Sequence, residues 1–207
     1  MVKIKICGIT NIEDAQNAVS FGADAIGFIF ANSPRAIEPK IAKSIIENLK
    51  RKVLAVGAFV NEAFDKVIEI ADYCGLNAIQ LHGDENPEYC SRFKKRQLIK
   101  AFRIEGDSSL TSIPYYKDVF AYLLDTFSKE VYGGTGKTFD WNLAIKAKSF
   151  GKPIILSGGL GLNNIEEAIK VVRPYGVDIS SAIEIRPGKK DPVLMEKVIR
   201  LIKALDS

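Results

Sequence analysis

The chain has 207 residues and a net charge of +4; 47% of its residues are hydrophobic and 26% are charged. This composition is typical of a globular protein with one sizeable core, and it argues against a disordered chain. Its three widely spaced cysteines do not read as a disulfide framework, and one histidine is too few for an ordinary zinc site. We therefore expect no metal site and a reducing compartment.

The basic residues are scattered and no aromatic residues lie among them, which argues against a nucleic-acid partner. No run approaches the roughly 18 apolar residues that cross a bilayer, and the first residues lack the apolar core of a signal peptide. We expect a cytoplasmic protein that binds neither nucleic acid nor membranes.

Short β-rich runs predict strands at residues 2–7, 25–30, 53–60, 77–82, 97–102, 119–125, 153–157 and 177–181. The stretches between them have helical spacing. Thr10 and Glu13 are spaced as a capping box at the start of the first helix, and Gly22 is predicted to end that helix. Asn61 is predicted to cap a later helix, and Asp191 to cap the last one.

Eight strands that alternate with helix positions predict a parallel α/β architecture. Open doubly wound sheets commonly have about five or six strands, whereas eight strands close a barrel. The weakest repeat lies between residues 102 and 119, where glycine, serine and proline permit only a short or irregular helix. Because no linker or change in composition interrupts the chain, we predict a single (β/α)8-barrel domain over residues 1–207.

Cys7 ends the first predicted strand, and the active sites of such barrels lie at the carboxyl ends of the strands. Ile4 and Ile6 share one face of this strand, while Lys3, Lys5 and Cys7 share the other. We expect the isoleucines to contact the helices, which turns Cys7 toward the barrel mouth. A free thiol is only a few per cent ionised at neutral pH, and a neighbouring cation would raise that share.

Asp125 ends the sixth predicted strand. A carboxylate at the end of a buried strand is partly desolvated, which suits a general acid, although a loop cap or a salt-bridge partner is an equal alternative for an isolated aspartate. Asp24 precedes the second strand and belongs to the opposite, structural end. Cys74 and Cys90 fall in helical segments and are interpreted as inert.

Gly158 and Gly159 follow strand seven, and Ser180 and Ser181 follow strand eight. The loops after these two strands often bind phosphate in barrels, because glycine lets backbone amides approach the anion and serine adds hydroxyl donors. The alternative for a Gly-Gly pair is an ordinary turn. A third glycine-rich stretch, Gly133-Gly134-Thr135-Gly136-Lys137, lacks Walker spacing and is predicted to be a mobile active-site loop.

Four further residues complete the predicted substrate-binding set. Arg35, in the loop after strand two, has the fork that binds carboxylates at two points, although a single arginine is more often a surface residue. His82 could bind substrate or orient its loop, and the sequence does not separate these roles. Asp178 and Glu184 flank the two serines of strand eight.

Motifs in order from residue 5 to residue 191 resemble those of phosphoribosylanthranilate isomerases, and their combination is highly specific. They are Lys5-Ile6-Cys7-Gly8-Ile9-Thr10, Gly27-Phe28-Ile29-Phe30, Ser33-Pro34-Arg35, Gly57-Ala58-Phe59-Val60-Asn61, Gln80-Leu81-His82-Gly83, Leu124-Asp125-Thr126, residues 133–141, Leu156-Ser157-Gly158-Gly159-Leu160, Val177-Asp178-Ile179-Ser180-Ser181 and Pro187-Gly188-Lys189-Lys190-Asp191.

The resemblance implies an Amadori rearrangement of N-(5'-phosphoribosyl)anthranilate, a phosphorylated aminosugar, in tryptophan biosynthesis. It implies that Asp125 protonates the ring oxygen as the sugar opens to an iminium, and that Cys7 then removes the C2 proton. It also implies that Arg35 holds the anthranilate carboxylate and that no cofactor takes part. The sequence leaves a monomer or a homodimer open.

One position departs from the family pattern. The family usually reads Ser-Ser-Gly-Val-Glu after strand eight, and here Ala182 replaces the glycine. If that position needs a positive φ or close approach to phosphate, the methyl group should cost roughly 1 kcal/mol or more and weaken substrate binding.

Two rival functions remain at this point. An aminosugar-phosphate isomerase of the histidine pathway would typically use two aspartates, whereas strand one ends in Cys7. A catalytically silent barrel that binds a phosphorylated ligand or a partner protein is the other alternative; the intact Cys7, Asp125 and Arg35 argue against it.

Overall fold

The computed structural model describes residues 1–126 and 140–205. The predicted mobile loop at residues 133–137 lies outside the described residues, as does the end of the chain.

Eight parallel strands close into a barrel in sequence order, and strand eight pairs with strand one. The strands are β1 (Lys3–Cys7), β2 (Ala25–Ile29), β3 (Leu54–Phe59), β4 (Ala78–Leu81), β5 (Gln97–Ile104), β6 (Ala121–Thr126), β7 (Ile154–Leu156) and β8 (Gly176–Ile179). The predicted barrel is therefore confirmed, with strand bounds that differ from the predicted ones by no more than two residues at either end.

Helices follow the strands and pack around the barrel. They are α1 (Ile12–Phe21), α2 (Pro39–Glu47), α3 (Phe64–Cys74), α4 (Pro87–Ser91), α5 (Trp141–Ala147), α6 (Ile165–Val172) and α7 (Pro192–Ala204). After β5 the helix position holds two short 3-10 turns, Asp107–Leu110 and Ile113–Tyr115, as the glycine, serine and proline there predict. Among the described residues, no helix is long and apolar enough to span a membrane.

A 3-10 turn and a small hairpin follow β8. The turn spans Ser181–Ile183, and the hairpin pairs β9 (Glu184–Arg186) with β10 (Lys189–Lys190) in antiparallel register. This insertion brings Glu184 and Lys190 to the carboxyl end of the barrel.

Two of the predicted helix caps are confirmed and two are wrong. Gly22 ends α1 at φ 102°, and Asp191 accepts hydrogen bonds from the first amides of α7. Asn11 rather than Thr10 caps α1, because the Thr10 hydroxyl donates to a carbonyl of the β9–β10 hairpin instead. Asn61 does not cap α3; it has φ 51°, and its side chain accepts from the amide of Asp84.

The core has two layers, and membership of one or the other shows whether a strand residue faces the barrel interior or the helices. One cluster fills the barrel interior, and it consists of Ala25, Val56, Ala78, Ile99, Ala101, Ala121, Leu123 and Ile155. A larger cluster, which includes Ile4, Ile6, Val177 and Ile179, packs between the strands and the helices. Because side chains alternate along a strand, the residues two positions beyond each interior residue also face inward.

Candidate active site

Cys7 and Asp125 both face the barrel interior at its carboxyl end. Ile4 and Ile6 belong to the outer layer, so Cys7 faces the inside of the barrel, as the alternation in β1 predicts. Leu123 belongs to the inner cluster, and Asp125 follows it by two positions. Both residues lie at the ends of parallel strands of one closed barrel, so they share one rim.

Beneath Cys7, a buried lysine pairs with a buried carboxylate. The Lys5 Nζ lies 2.9 Å from Asp178 Oδ1, and the two residues are register partners on β1 and β8. Burial alone would lower the pKa of Lys5, but the charges of Asp178 and Cys7 outweigh it and raise the pKa above its ordinary value. Lys5 therefore stays charged inside the barrel.

Opposing influences act on the Cys7 thiol. Burial raises its pKa and the charge of Asp178 raises it further, while Lys5 lowers it through charge and a hydrogen bond, and Lys190 lowers it through charge. The net effect is a pKa above the ordinary value, so the thiol form predominates at neutral pH. The two lysines limit this rise.

Arg35 reaches the same rim from the loop after β2 and binds Glu184 at two points. Its Nε lies 3.0 Å from both carboxylate oxygens, and its Nη2 lies 2.8 Å from Oε2. Lys190 Nζ binds the same carboxylate at 2.8 Å. Burial opposes the charge of Glu184, but the bonds from Arg35 and the charge of Lys190 outweigh it and hold its pKa below the ordinary value. Glu184 thus orients Arg35.

Asp125 accepts a backbone hydrogen bond and lies beside the imidazole of His82. Its Oδ1 accepts from the amide of Thr126 at 2.8 Å, and its Oδ2 lies 3.2 Å from His82 Nε2. On the other side of the ring, Gln80 Nε2 lies 3.0 Å from His82 Nδ1. The Gln80 amide nitrogen can only donate to Nδ1, and Nε2 is the ring nitrogen that faces Asp125.

Gly158 leaves room for this carboxylate. A methyl group built at Gly158 would lie 2.6 Å from Asp125 Oδ1 and 2.5 Å from the Thr126 amide nitrogen, and the residue has φ 84°. Both space and conformation therefore require glycine here. The lack of a side chain at Gly158 makes room for the Asp125 carboxylate, whether or not the same residue also contacts a phosphate.

The loops after β7 and β8 lie against each other. A methyl group built at Gly161 would be 2.9 Å from the Ala182 methyl, so the two loops are in contact. Within the described residues, the backbone N–H groups of Gly159 and Ala182 donate to no protein acceptor. The Ser180 hydroxyl donates to the Cys7 carbonyl at 3.2 Å and so connects β8 to β1, which leaves the hydroxyl of Ser181 as the serine donor available to an anion.

Ala182 does not have the positive φ that the family comparison raised as a possibility. It lies inside the 3-10 turn Ser181–Ile183, and the positive-φ residues other than glycine among the described residues are Asn61 and Arg173. The backbone therefore carries no strain from the alanine.

The family model described as N-(5'phosphoribosyl)anthranilate (PRA) isomerase matches residues 4–201. The chain belongs to this family.

Individual members of the PRA isomerase family match nearly the whole chain. A relative from Citrifermentans bemidjiense, named N-(5'-phosphoribosyl)anthranilate isomerase, is 51% identical over 203 residues, which cover 98% of this chain and 96% of that protein. The crystal structure of phosphoribosyl anthranilate isomerase from Thermotoga maritima is 43% identical, has a TM-score of 0.92 and covers 99% of this chain and 100% of its own. Another solved PRA isomerase, in complex with reduced 1-(o-carboxyphenylamino)-1-deoxyribulose 5-phosphate, is 40% identical with a TM-score of 0.89, and covers the same shares.

Membership makes the chain an isomerase and argues against the histidine-pathway alternative. Three residues of the site, Lys5, Gln80 and Lys190, were not among the site residues that the sequence analysis predicted. Lys5 and Gln80 each precede a predicted site residue by two positions, so strand alternation could have found them. Lys190 had no comparable signal, because it reaches the site through a hairpin that follows the eighth strand.

Proposed function

We propose that this chain converts N-(5'-phosphoribosyl)anthranilate into 1-(2-carboxyphenylamino)-1-deoxyribulose 5-phosphate, a step of tryptophan biosynthesis, with Asp125 as the acid and Cys7 as the base. The observation that carries the residue assignment is that a thiol and a carboxyl group face inward at one rim of the barrel, on β1 and β6. A sugar held between them presents one side to each group.

The chemistry needs one proton donor and one proton acceptor. Asp125 gives a proton to the ring oxygen as the bond from C1 to that oxygen breaks, and the nitrogen lone pair forms an iminium. Cys7 then removes the C2 proton, and the electrons of the C–H bond neutralise the iminium to give an enolamine. The enolamine tautomerises to the ketone. Because the iminium acidifies C2, a thiolate is a sufficiently strong base.

Each end of the substrate carries an anion, and the rim offers a partner for each. Arg35 has donors beyond those bound to Glu184, and these suit the anthranilate carboxylate. The amides of Gly159 and Ala182, which donate to no acceptor among the described residues, suit the phosphate together with the hydroxyl of Ser181. Two anchored ends fix the reacting carbons between acid and base.

Replacement of Cys7 by serine tests the base. We expect turnover to fall about a hundredfold or more, while affinity for the reduced product analogue stays near that of the unchanged protein. Cys74→Ser is the matched control, because Cys74 is the buried last residue of α3 and donates to the carbonyl of Pro39 instead. Unchanged turnover in Cys7→Ser would remove Cys7 from the mechanism.

The alternative of a catalytically silent barrel is separated by the assay of the unchanged protein. We expect turnover of phosphoribosylanthranilate, and silence at micromolar enzyme together with retained analogue binding would favour the silent barrel.

For assembly and location, we propose a single-domain cytoplasmic protein that is either a monomer or a homodimer. A homodimer is favoured by one observation: Leu54, Phe120 and Tyr175 are exposed around a cavity of about 250 Å³ at the amino end of the barrel. The related enzyme from Thermotoga maritima is described as dimeric. Light scattering on the unchanged protein and on Phe120→Glu tests this. A dimeric mass that falls to the monomeric mass in Phe120→Glu would support the homodimer, and a monomeric mass for both proteins would show a monomer.

A further inference from the structure

Lys5 is a buried cation that the proposed mechanism does not use. Only 5% of its surface is exposed, and its side chain points into the barrel from the strand that carries Cys7. A buried charge is costly unless it is paired, and a pair that served packing alone could be replaced by apolar residues without loss of stability. The position of Lys5 relative to the thiol indicates what the charge does.

The Lys5 ammonium and the Cys7 sulfur occupy the same small space above Gly27 of β2. A methyl group built at Gly27 would lie 3.0 Å from Lys5 Nζ and 2.9 Å from Cys7 Sγ. Gly27 has an ordinary φ, so glycine is explained here by space rather than by backbone conformation. The absent side chain lets the ammonium reach the sulfur.

Asp178 holds the ammonium in this place from the opposite neighbouring strand. Its carboxylate binds Lys5 Nζ at 2.9 Å, and the flanking pairs of β1 and β8 fix the register of the two residues. This contact also occupies one of the carboxylate oxygens that the sequence analysis assigned to substrate. A carboxylate beside a thiol opposes ionisation of the thiol, whereas the ammonium between them favours it.

We propose that Lys5 is the positioning residue for the base: held by Asp178, its ammonium stabilises the Cys7 thiolate and orients it toward the substrate. Its catalytic consequence rests on the proposed role of Cys7. The charged groups that face the thiol are Lys5 on β1, Asp178 on β8 and Lys190 on β10, with the Arg35 stem packed against neighbouring Gly8. Lys190 binds Glu184 and the Ser180 carbonyl from the hairpin, whereas Lys5 lies on the same strand as Cys7 and shares the space above Gly27 with the sulfur.

The test measures the ionisation of Cys7 without any substrate. The rate of alkylation by iodoacetamide is followed against pH, by mass spectrometry of the peptide that contains Cys7, because the thiolate is the reacting form. In Lys5→Met we expect the profile to move up by about one pH unit or more, which makes alkylation about tenfold slower at pH 8. The profile of kcat/KM should move in the same direction. Lys5→Arg, which keeps the charge, should restore most of the unchanged profile.

Lys3→Met is the matched control. Lys3 lies on the same face of β1 but at the amino end of the barrel, where it pairs with Asp24. We expect it to leave both profiles unchanged. An unchanged alkylation profile in Lys5→Met, or an equal shift in Lys3→Met, would overturn the inference, even if the protein turned over its substrate normally. Failure of the base assignment would appear separately, as full activity in Cys7→Ser.

A second pair of variants covers the case in which Lys5→Met does not fold, since it leaves Asp178 buried without its partner. Asp178→Asn keeps an oxygen that can accept from Lys5, and it removes a charge that opposes the thiolate, so its profile should move down in pH. Adding Lys5→Met to Asp178→Asn should move the profile up again, without leaving a buried carboxylate. Identical profiles for the single and the double variant would refute the role of Lys5.

Discussion

The two sides of the barrel rim tune their reactive groups by different physical means. Around Cys7 lie full charges that oppose one another: Lys5, Asp178 and Lys190 act on the thiol. Around Asp125 lie the Thr126 amide, the His82 imidazole and Gly158, which leaves space, and its register partner on β5 is Arg103. We infer that the base is controlled by the balance of buried charges, whereas the acid is held in place by close contacts with its neighbours.

On the side of the acid, a buried ion pair on the outer face of β5 serves the structure. Lys100 points outward from β5 and pairs with Glu85 at 3.1 Å, and it also donates to the carbonyl of Gly83. Glu85 in turn accepts from the amides of Asn61 and Gly83. This buried network fixes the loop that follows His82, so that the same kind of ion pair tunes chemistry on one side and holds a loop on the other.

The largest effect should come from Asp125→Asn. The amide keeps the shape and can still accept from the Thr126 amide, but it has no proton to give to the ring oxygen. We expect kcat to fall about a thousandfold with little change in affinity for the product analogue. Asp118→Asn, at an exposed aspartate, is the control. A kcat within tenfold of the unchanged enzyme would show that the carboxyl group is not the acid.

Lys100→Met tests whether the outward ion pair is structural. It leaves Glu85 buried without its cation, so we expect the free energy of unfolding to drop by about 3–5 kcal/mol in urea denaturation. Lys100→Met/Glu85→Gln should recover much of that loss, because no lone charge remains. Lys43→Met, which breaks an exposed pair with Glu47, should cost far less. Equal losses of unfolding free energy in Lys100→Met and Lys43→Met would contradict a structural role for the buried ion pair.

Arg35→Met should act on substrate binding and not on the proton transfers. Loss of a charged two-point contact with the anthranilate carboxylate should raise KM about thirtyfold, while kcat changes little. Arg200→Met removes an exposed arginine of α7 and serves as control. A lower stability with an unchanged KM would reassign Arg35 to the support of Glu184.

His82→Ala separates the two roles that the sequence left open for this histidine. Because His82 Nε2 faces Asp125 and not the open rim, we expect kcat to fall about tenfold through misplacement of the acid, with KM nearly unchanged. Gln80→Leu should have a smaller effect in the same direction, since it acts through His82. A rise in KM with constant kcat would make His82 a substrate ligand instead.

Much of this arrangement could be predicted from the sequence because strand alternation is a local property. The alternation of Ile4 and Ile6 with Cys7 predicts that the thiol faces inward. The number of strands predicts that the barrel closes. The caps at Thr10 and Asn61 were wrong because both side chains bind partners distant in sequence, the hairpin after β8 and the amide of Asp84. Local spacing carries no information about such partners.

The pairings of the charged residues could not be predicted for the same reason. Glu184 lies 149 positions from Arg35, and Asp178 lies 173 positions from Lys5. A sequence shows that these residues end neighbouring strands or loops, but not which cation meets which carboxylate. The sequence analysis assigned Asp178 and Glu184 to substrate, and that assignment stays a prediction; the structure adds that their carboxylates bind Lys5 and Arg35.

The smallest effect should come from Ala182→Gly, which restores the usual residue of the family. A strained alanine would make the glycine variant bind substrate more tightly by a factor of about five, the equivalent of roughly 1 kcal/mol. Ala182 lies in an unstrained 3-10 turn, so we expect KM to change by less than about twofold. Phosphate inhibition of the reaction provides a second readout of the same loop. A fivefold or larger drop in KM would mean that the methyl group, and not the backbone, keeps the phosphate at a distance; it would move the anion site toward the contact between Ala182 and Gly161.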